Sequence, residues 1–246
     1  MTILVVGASG ATGRLLVADL LQRGLKVKAI VRSDEKLSEF LSDDNLQVIT
    51  ASVLDLSDAE MAEYVKDCDA VASCLGHNIT FKGMFGHPRR LVTDTARRLC
   101  AAIATNKPEK PVKYVLMNTT GNRNRDLNEP ISFAQRCVIV LLRLLLPPHV
   151  DNEKAADYLR TEIGQNNPTI EWVAVRPDGL IDEETVSNYT LHASPTRNPI
   201  FNAGQTSRIN VARFMAQLIT DSGTWNNWKG QMPVIYNSFS RTDPER

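Results

Sequence analysis

The chain has 246 residues, 43% of them hydrophobic, and its 28 Lys and Arg balance 28 Asp and Glu. This length fits one large domain or two small ones, and the hydrophobic content suffices for a full core, which excludes wholesale disorder. A formal net charge of zero argues against a nucleic-acid-binding protein or a protein held on a membrane by charge, because both need a basic surplus.

Short apolar runs that predict strands alternate along the chain with helical stretches. Strands are predicted at 2–6, 26–31, 46–50, 69–74, 112–117, 170–176 and 233–236. Helices are predicted at 11–23, 57–65, 89–105, 152–163 and 211–219. The strands are mostly continuously apolar, which is typical of a parallel sheet that is buried on both faces. The order therefore predicts an α/β fold, a single Rossmann-like, doubly wound parallel sheet with helices on both faces, as one domain over 1–246.

The cysteines and the apolar runs bear on the compartment. The four cysteines form no CxxC pair, which predicts reduced thiols rather than a disulfide scaffold. The first apolar run, 3–6, is too short for a signal peptide. The run 138–146 contains Arg143 and falls far short of the ~20 residues of a membrane span. We interpret it as a buried helix, or as a helix that covers a pocket or a partner subunit. We expect a cytoplasmic protein without a membrane partner.

The strongest chemical signal lies where the first strand meets the first helix. Gly7, Gly10 and Gly13 form a G-x-x-G-x-x-G motif at this junction. By analogy with the Rossmann fingerprint, such glycines allow a tight turn, close approach of a pyrophosphate and close helix–strand packing. The helix start offers free N–H groups and a positive dipole end to phosphates. Glycines also make plain turns, but the strand and helix around this motif favour a dinucleotide site, whose cofactor-binding residues we extend to Ser9, Ala11 and Thr12.

The end of the second strand indicates which dinucleotide binds. An NAD site expects an acidic residue here, about 20 residues beyond the glycines, to bind the ribose hydroxyls. This strand ends instead in Arg32, whose planar guanidinium suits the 2′-phosphate of NADP. The alternative is a solvated charge at a strand end. We predict NADP(H) as the cofactor.

These motifs together resemble a known family. The chain is similar to atypical short-chain dehydrogenase/reductases of the NAD(P)H-binding, NmrA-like group, which includes flavin/biliverdin reductase B. The resemblance covers nearly the whole chain and rests on GASGATG (7–13), AIVRS (29–33), ASVLD (51–55), CLG (74–76), YVLMNTTG (114–121), NEKAADYLR (152–160), WVAVRPDGL (172–180) and SRINVARFM (207–215).

The resemblance implies further cofactor-binding positions at the carboxyl ends of predicted strands, where open α/β sheets bind ligands. Asp55 and Leu56 would lie beside the adenine, and Leu75 and Gly76 along the ribose. Thr119 and Thr120 would lie near the nicotinamide, and the segment from Pro177 to Leu180 beside its carboxamide. For Asp55 and the threonines the alternative is ordinary capping and turn chemistry.

The usual catalytic pair of short-chain dehydrogenases is missing from the sequence. That pair is a Tyr followed four residues later by a Lys, which lowers the pKa of the phenol. None of the five tyrosines has Lys at this spacing. Lys154 lies in a segment that resembles the helix carrying the family's Lys, but the residue four positions before it is Val150 instead of Tyr. The resemblance still implies that Lys154 binds the nicotinamide ribose; otherwise it is a solvated lysine. His149 and Thr120 are further candidates for supplying a proton, although water can also do so.

Two segments are predicted to border the substrate, 122–148 and 178–206, the second of which is turn-rich. An ordinary packing helix or a dimer contact is the alternative for the first. The four histidines lie too far apart in sequence to suggest a metal site.

We expect an NADPH-dependent oxidoreductase that reduces a small apolar or aromatic acceptor: a quinone, flavin, ketone or activated double bond. The alternative is a non-catalytic NADP-binding redox sensor of the NmrA kind. Either is expected as a monomer or homodimer.

Overall fold

Strands and helices alternate along the chain, and the helices pack on both faces of a sheet. The computed structural model describes residues 1–77 and 86–238. Its strands are β1 (Thr2–Val6), β2 (Lys26–Val31), β3 (Leu46–Thr50), β4 (Ala70–Ser73), β5 (Val112–Met117), β6 (Ile170–Pro177), β7 (Gly179–Ile181), β8 (Tyr189–His192), β9 (Gln205–Ser207) and β10 (Val234–Asn237). Its α-helices are α1 (Ala11–Gln22), α2 (Asp58–Val65), α3 (Leu91–Asn106), α4 (Phe133–Leu145), α5 (Pro147–Tyr158), α6 (Arg208–Thr220) and α7 (Ser222–Trp228).

The main sheet has the order β3-β2-β1-β4-β5-β6-β10-β8, and within the described residues only β8 runs antiparallel to its neighbour. Reversal of the strand order between β1 and β4 brings the carboxyl ends of these two strands to one crevice, where doubly wound sheets bind ligands. The predicted fold class is confirmed.

Apolar side chains of the strands point alternately to two cores, one on each face of the sheet. In β1, Ile3 and Val5 join the core under α1 and α6, while Leu4 and Val6 join the core under α2, α3 and α5. All four side chains are fully buried, as the continuous apolar pattern predicts for a two-sided sheet. The sheet is therefore packed on both faces, and the loops at its carboxyl edge remain available for a functional site.

Three predicted elements differ from those in the structure. The helix predicted from 152 begins at Pro147, because proline is tolerated in the first turn of a helix. The turn-rich segment after β6 contains β7 and β8. All but the last residue of the run 138–146 lie in α4. Only Ile139 of this helix is buried, so the helix is not a buried one, but Ile139 lines a cavity, which agrees with the alternative of a helix that covers a pocket.

No single helix of the described residues is long and apolar enough to cross a membrane. Helix α4 and the segment 147–163 pass that test only together, and they are bent by 105° at the break between them.

Candidate functional site

The turn after β1 is shaped by glycines that have no room for a side chain. Gly7 adopts a φ of +73°, which L residues rarely adopt, and a Cβ on it would lie 2.6 Å from the carbonyl carbon of Cys74. A Cβ on Gly13 would lie 2.1 Å from the carbonyl oxygen of Gly7. The backbones of the turn, of α1 and of the loop after β4 therefore meet closely. This arrangement is the cradle that a pyrophosphate requires.

The first turn of α1 leaves its N–H groups available to a ligand. Gly10, its N-cap residue, has no side chain, and the structure gives this helix end no side-chain cap from the described residues. Ser9 and Ala11 are accessible at this helix start, whereas Thr12 is buried. Helix N-termini of this kind bind phosphate through N–H groups and the helix dipole. Ser9 and Ala11 thus stand where the predicted site needs them, and Thr12 packs beneath it.

Arg32 directly follows β2 and is exposed. No hydrogen bond or ion pair holds its guanidinium within the part of the chain that the structure describes. Its neighbour strand β1 leads into the glycine turn, so Arg32 stands at the same edge of the sheet as the cradle. A free guanidinium at this place is able to take a phosphate with paired N–H donors.

The segment predicted to flank the adenine is held by a residue that sequence reasoning missed. Arg98 of α3 donates hydrogen bonds to the carbonyl oxygens of Leu54, at 2.8 Å, and of Leu56. Leu56 is buried, whereas Asp55 is exposed. Arg98 lies more than 40 positions further along the chain, so no local pattern could have connected it with this loop.

Leu75 and Gly76 follow β4 and pass beside the glycine turn. The backbone nitrogen of Leu75 lies 2.8 Å from the place of a Cβ on Gly7. The next residue, His77, forms a 2.8 Å contact from Nε2 to a carboxylate oxygen of Asp151 in α5. Burial opposes ionisation of Asp151, but the His77 contact and the hydrogen bonds that Asp151 accepts from the first turn of α3 outweigh burial and lower the pKa of this carboxyl. Asp151 therefore connects the loop after β4 with α3 and α5.

The two threonines after β5 differ in their surroundings. Thr119 is partly exposed, and its hydroxyl accepts a hydrogen bond from the Gly121 N–H at 3.2 Å. Thr120 is buried and donates its hydroxyl hydrogen to Asp178 at 3.0 Å. Pro177 accepts a hydrogen bond from the Thr120 N–H at 3.0 Å, which joins the ends of β5 and β6. Leu180 lies beyond them in β7 and pairs with β9.

Asp178 is a second residue that the residue-by-residue prediction passed over. One of its carboxylate oxygens accepts from Thr120 and the other accepts from the Gly204 N–H at 2.8 Å. The signal was its position between Pro177 and Leu180 in a matched segment, directly after a buried strand. With its hydroxyl hydrogen committed to Asp178, Thr120 holds the loop rather than presenting a free hydroxyl.

His149 lies beside the carboxyl end of β5. Its Cε1 atom is 3.7 Å from the place of a Cβ on Gly121. Its Nε2 atom is buried, lies 3.6 Å from a carboxylate oxygen of Glu153 and has no hydrogen-bond partner among the described residues. The two prolines before it lie in the first turn of α5, so His149 stands on this helix, which begins five residues before its predicted start.

Glu153 connects His149 with Arg143 of α4. Arg143 donates two hydrogen bonds to this carboxylate, at 2.8 and 2.9 Å. Burial disfavours the ionised form of Glu153, but its interactions with His149 and Arg143 outweigh burial and lower its pKa to about 2. Glu153 is therefore an ionised neighbour of His149 at neutral pH, which sequence reasoning passed over although it directly precedes Lys154.

Lys154 lies in the middle of α5, and its side chain is exposed. Two residues earlier, the Asn152 carbonyl accepts a hydrogen bond from the Asn118 side chain at 3.0 Å, which docks α5 against the end of β5. No contact within the described residues binds the Lys154 ammonium group. The structure places Lys154 on the docked helix but gives it no protein partner.

A cavity of about 380 Å³ opens directly after β5. Thr120 and Gly121 form its floor, and both segments predicted to border the substrate contribute to its walls. Apolar contacts come from Pro130, Ile131, Ile139, Pro195 and Pro199, and polar groups from Arg123, Ser132, Gln135, Arg197 and Asn198. The lining contains about as many polar as apolar groups, and the volume of the cavity lies within the range of small-molecule sites. A role of these walls in substrate selection stays a prediction.

Within residues 1–77 and 86–238, no group of three or more His, Cys, Asp or Glu side chains is arranged to hold a metal ion.

Comparison with known proteins agrees with this geometry. A family model described as NAD(P)H-binding matches residues 7–222. Over 73 residues, 29% of the chain, the sequence is 40% identical to the uncharacterized chloroplastic protein At2g34460 of Arabidopsis thaliana, and the match spans 26% of that protein.

Two solved structures are similar over their whole length. A short-chain dehydrogenase/reductase from Veillonella parvula in complex with NADP has a TM-score of 0.69 and 13% identity, with 99% of this chain and 98% of that chain covered. ChuY, an anaerobillin reductase from Escherichia coli O157:H7, has a TM-score of 0.68 and 15% identity, with 100% of each chain covered. At these identities the likeness shows the fold alone.

Proposed function

Because the chain belongs to the NAD(P)H-binding family, we propose that it is an NADPH-dependent oxidoreductase that transfers a hydride to a small apolar or aromatic acceptor. One observation carries the proposal: the glycine cradle and the cavity after β5 open at the same edge of one parallel sheet. A cofactor lying from the first site to the second would present its reactive end to a molecule in the cavity. The acceptor class follows the sequence: a quinone, flavin, ketone or activated double bond.

The residues present fit a phosphorylated dinucleotide. The backbone turn from Gly7 to Gly13 would hold the pyrophosphate against the start of α1, and Arg32 would bind the 2′-phosphate. Asp55 and Leu56 would flank the adenine, while Leu75 and Gly76 would pass along the ribose. Thr119, with Pro177 and Leu180 across the crevice, would flank the nicotinamide. NADPH supplies a hydride when it is bound, and the protein supplies orientation and a proton.

We assign the proton to His149 before the other two candidates. The His149 imidazole lies 3.7 Å from the place of a Cβ on Gly121, which lines the cavity, and beside the ionised Glu153. An imidazole exchanges protons near neutral pH, and an adjacent carboxylate fixes the orientation of its ring. Thr120 already donates to Asp178, so it would act on a substrate only through the oxygen that remains free to accept. Lys154 is exposed, and we assign it to the nicotinamide ribose.

Similar folds support this function without deciding it. The relative from Veillonella parvula holds NADP, and ChuY reduces anaerobillin. All four cysteines are free thiols in the structure, as a reducing compartment requires, and on this ground we propose a cytoplasmic location. The active form would be a monomer or homodimer.

A second candidate is a redox sensor that binds NADP without turnover and reports to a partner protein. The observation that favours it is the missing Tyr-x-x-x-Lys pair, together with the commitment of Thr120 to Asp178. Turnover with any acceptor above background oxidation separates the two functions, because a sensor has none.

The test begins with calorimetric titration of NADP⁺, NADPH, NAD⁺ and NADH into the purified protein and its Arg32→Glu variant. We expect NADPH to bind at least about tenfold more tightly than NADH, with the preference lost in the variant, since a bidentate arginine–phosphate contact is worth roughly 1.5–3 kcal/mol. Lys110→Glu, an exposed charge reversal far from β2, is the matched control. An acceptor screen with the preferred cofactor follows.

Equal binding of all four dinucleotides would overturn the NADP assignment, and no binding would overturn both functions. Selective binding without turnover on any acceptor would favour the sensor.

A further inference from the structure

Helix α4 turns an apolar face toward solvent. Phe133 is 82% exposed and Leu144 is 76% exposed, although these side chains normally avoid water. At 100° per residue they share one side of the helix with five further apolar or small residues, and we call this set the α4 face: Phe133, Ala134, Cys137, Val140, Leu141, Leu144 and Leu145. Contiguous exposed apolar surface of this kind marks an interaction site more often than chance exposure.

The other side of α4 explains why the helix keeps this orientation. Ile139 is its buried residue and lines the cavity after β5, and Gln135 accepts a hydrogen bond there from the Asn198 side chain at 3.2 Å. Ser132 caps the helix through a 3.1 Å hydrogen bond from the Gln135 N–H. The helix is thus fixed by its polar and inner contacts, and the protein itself leaves the α4 face uncovered.

The charges around the α4 face are basic. Helix α4 contains Arg136 and Arg143 and no acidic residue. Together with Arg123 and Arg125 they line a groove of about 400 Å³ between α4 and α5. Its two acidic residues are engaged, Glu153 by Arg143 and Asp157 by Arg125. Arg123 and Arg136 have no ion-pair partner within the described residues, so the groove is left with a positive excess beside the apolar face.

A second copy of the chain fits these features poorly. A 13-residue helix is about 20 Å long, and its exposed side alone offers far less than the roughly 800 Å² per partner of a stable dimer. If two copies paired antiparallel through their α4 faces, Arg136 of each would approach the other copy's Arg143, and like charges would repel. Neither the area nor the charge favours self-association through this helix.

An anionic lipid surface fits both features. An interfacial helix lies in the plane of the membrane with its apolar side buried about 5–10 Å, while flanking arginines bind the headgroups. We propose that the α4 face docks the protein peripherally on membranes that contain anionic lipids. The charge balance of the whole chain predicts no membrane partner, but it averages over the surface and misses this local combination. The proposal does not depend on hydride transfer.

Cys137 offers a direct probe of this docking. It lies within the α4 face and is exposed, whereas Cys68 and Cys100 are buried and burial raises the pKa of the partly accessible Cys74 to about 12. A thiol-reactive, environment-sensitive fluorophore will therefore label Cys137 selectively. We expect its emission to shift to the blue with vesicles of equal parts phosphatidylcholine and phosphatidylglycerol, and to stay unchanged with phosphatidylcholine alone.

Vesicle co-sedimentation of unlabelled variants tests the two contributions separately. Phe133→Ser with Leu144→Ser is expected to weaken vesicle binding at least about tenfold, because removal of each large apolar side chain from water contributes strongly to the free energy of binding. Arg136→Glu is expected to weaken it about tenfold on anionic vesicles. The matched controls are Leu41→Ser and Lys66→Glu, an exposed apolar residue and an exposed charge on other elements, which should bind like the wild type. Urea denaturation checks that each variant is folded.

Three results would overturn the proposal. The first is wild-type protein that stays in the supernatant with anionic vesicles. The second is equal binding to neutral vesicles, which would remove the role of the arginines. The third is a stable dimer in light scattering that Leu144→Ser converts to a monomer, which would assign the α4 face to a second copy. A failed dinucleotide titration with intact vesicle binding would refute the proposed function and leave this inference standing.

Discussion

Arg176 and Glu129 form a two-point ion pair in the interior of the protein. The Arg176 guanidinium donates to the two Glu129 carboxylate oxygens at 2.7 and 3.1 Å, and the side chains are 0% and 5% exposed. Arg176 also donates to the carbonyl oxygens of Asn122, Met232 and Ala193. This residue at the end of β6 therefore ties both segments that line the cavity to the sheet.

Removal of one partner should be costly because it leaves a buried charge unpaired. We expect Glu129→Gln to lower the free energy of unfolding by about 3–5 kcal/mol, measured by urea denaturation at neutral pH. Asp182→Asn breaks the Arg208 pair, whose carboxylate is 83% exposed, and should change it by less than about 1 kcal/mol. Equal effects of the two substitutions would refute the structural role given to the buried pair.

The glycine cradle should not tolerate a single added methyl group. In Gly13→Ala the Cβ would meet the Gly7 carbonyl oxygen at 2.1 Å, and because this oxygen is backbone and the Cβ is bonded directly to the Cα of a helix, neither can move aside. We expect NADPH affinity, followed by fluorescence titration, to fall at least about tenfold, with a stability loss of roughly 1–3 kcal/mol. Gly223→Ala, at the exposed start of α7, serves as the control and should leave affinity unchanged. Unaltered NADPH binding by Gly13→Ala would contradict the position of the site.

His149 should affect turnover rather than cofactor binding. With the best acceptor from the screen, we expect His149→Asn to reduce kcat about a hundredfold or more while the Kd for NADPH stays the same, since proton donors typically contribute 10²–10⁴-fold. Thr120→Val and Lys154→Met, measured alongside, test the other two candidates. If His149→Asn keeps full kcat and one of these variants loses it, the proton comes from elsewhere.

Glu153 should make stability depend on pH below its ordinary pKa. Its pKa falls from 4.5 to about 2 in the folded protein, so its contribution is fully present above about pH 4.5 and is lost as pH falls toward 2. The full shift corresponds to about 3 kcal/mol, which we reduce to roughly 1–2 kcal/mol because Arg143 is open to solvent. Urea midpoints at about pH 5 and about pH 3 measure it.

The comparison with Glu153→Gln isolates this carboxyl from others that also titrate. The variant should be less stable than the wild type at the higher pH and closer to it at the lower pH. A constant difference between the two proteins across this range would exclude an ionised Glu153 as the orienting neighbour of His149.

The sheet and the cradle could be predicted closely because their signals are local. The bounds predicted for β1, β2, β3 and β5 agree with the structure, since each strand is mostly apolar and ends at or just before a polar or glycine residue. Helix α5 begins five residues before its predicted start, because Pro147 and Pro148 are compatible with a first helical turn. The position of His149 beside Gly121 followed from this helix start and was therefore out of reach.

The sequence by itself determined the doubly wound sheet, the glycine turn and the free arginine after β2, because these depend on residues that are adjacent along the chain. Only the tertiary structure decided that Glu129 neutralises Arg176 across 47 residues, that Arg98 fixes the loop from Leu54 to Leu56, and that the α4 face stays exposed. The sequence shows that an apolar residue would be stabilised by burial, but whether another segment of the protein covers it depends on where distant segments fold. The same holds for a charge, whose pKa and role depend on neighbours that the linear order does not name.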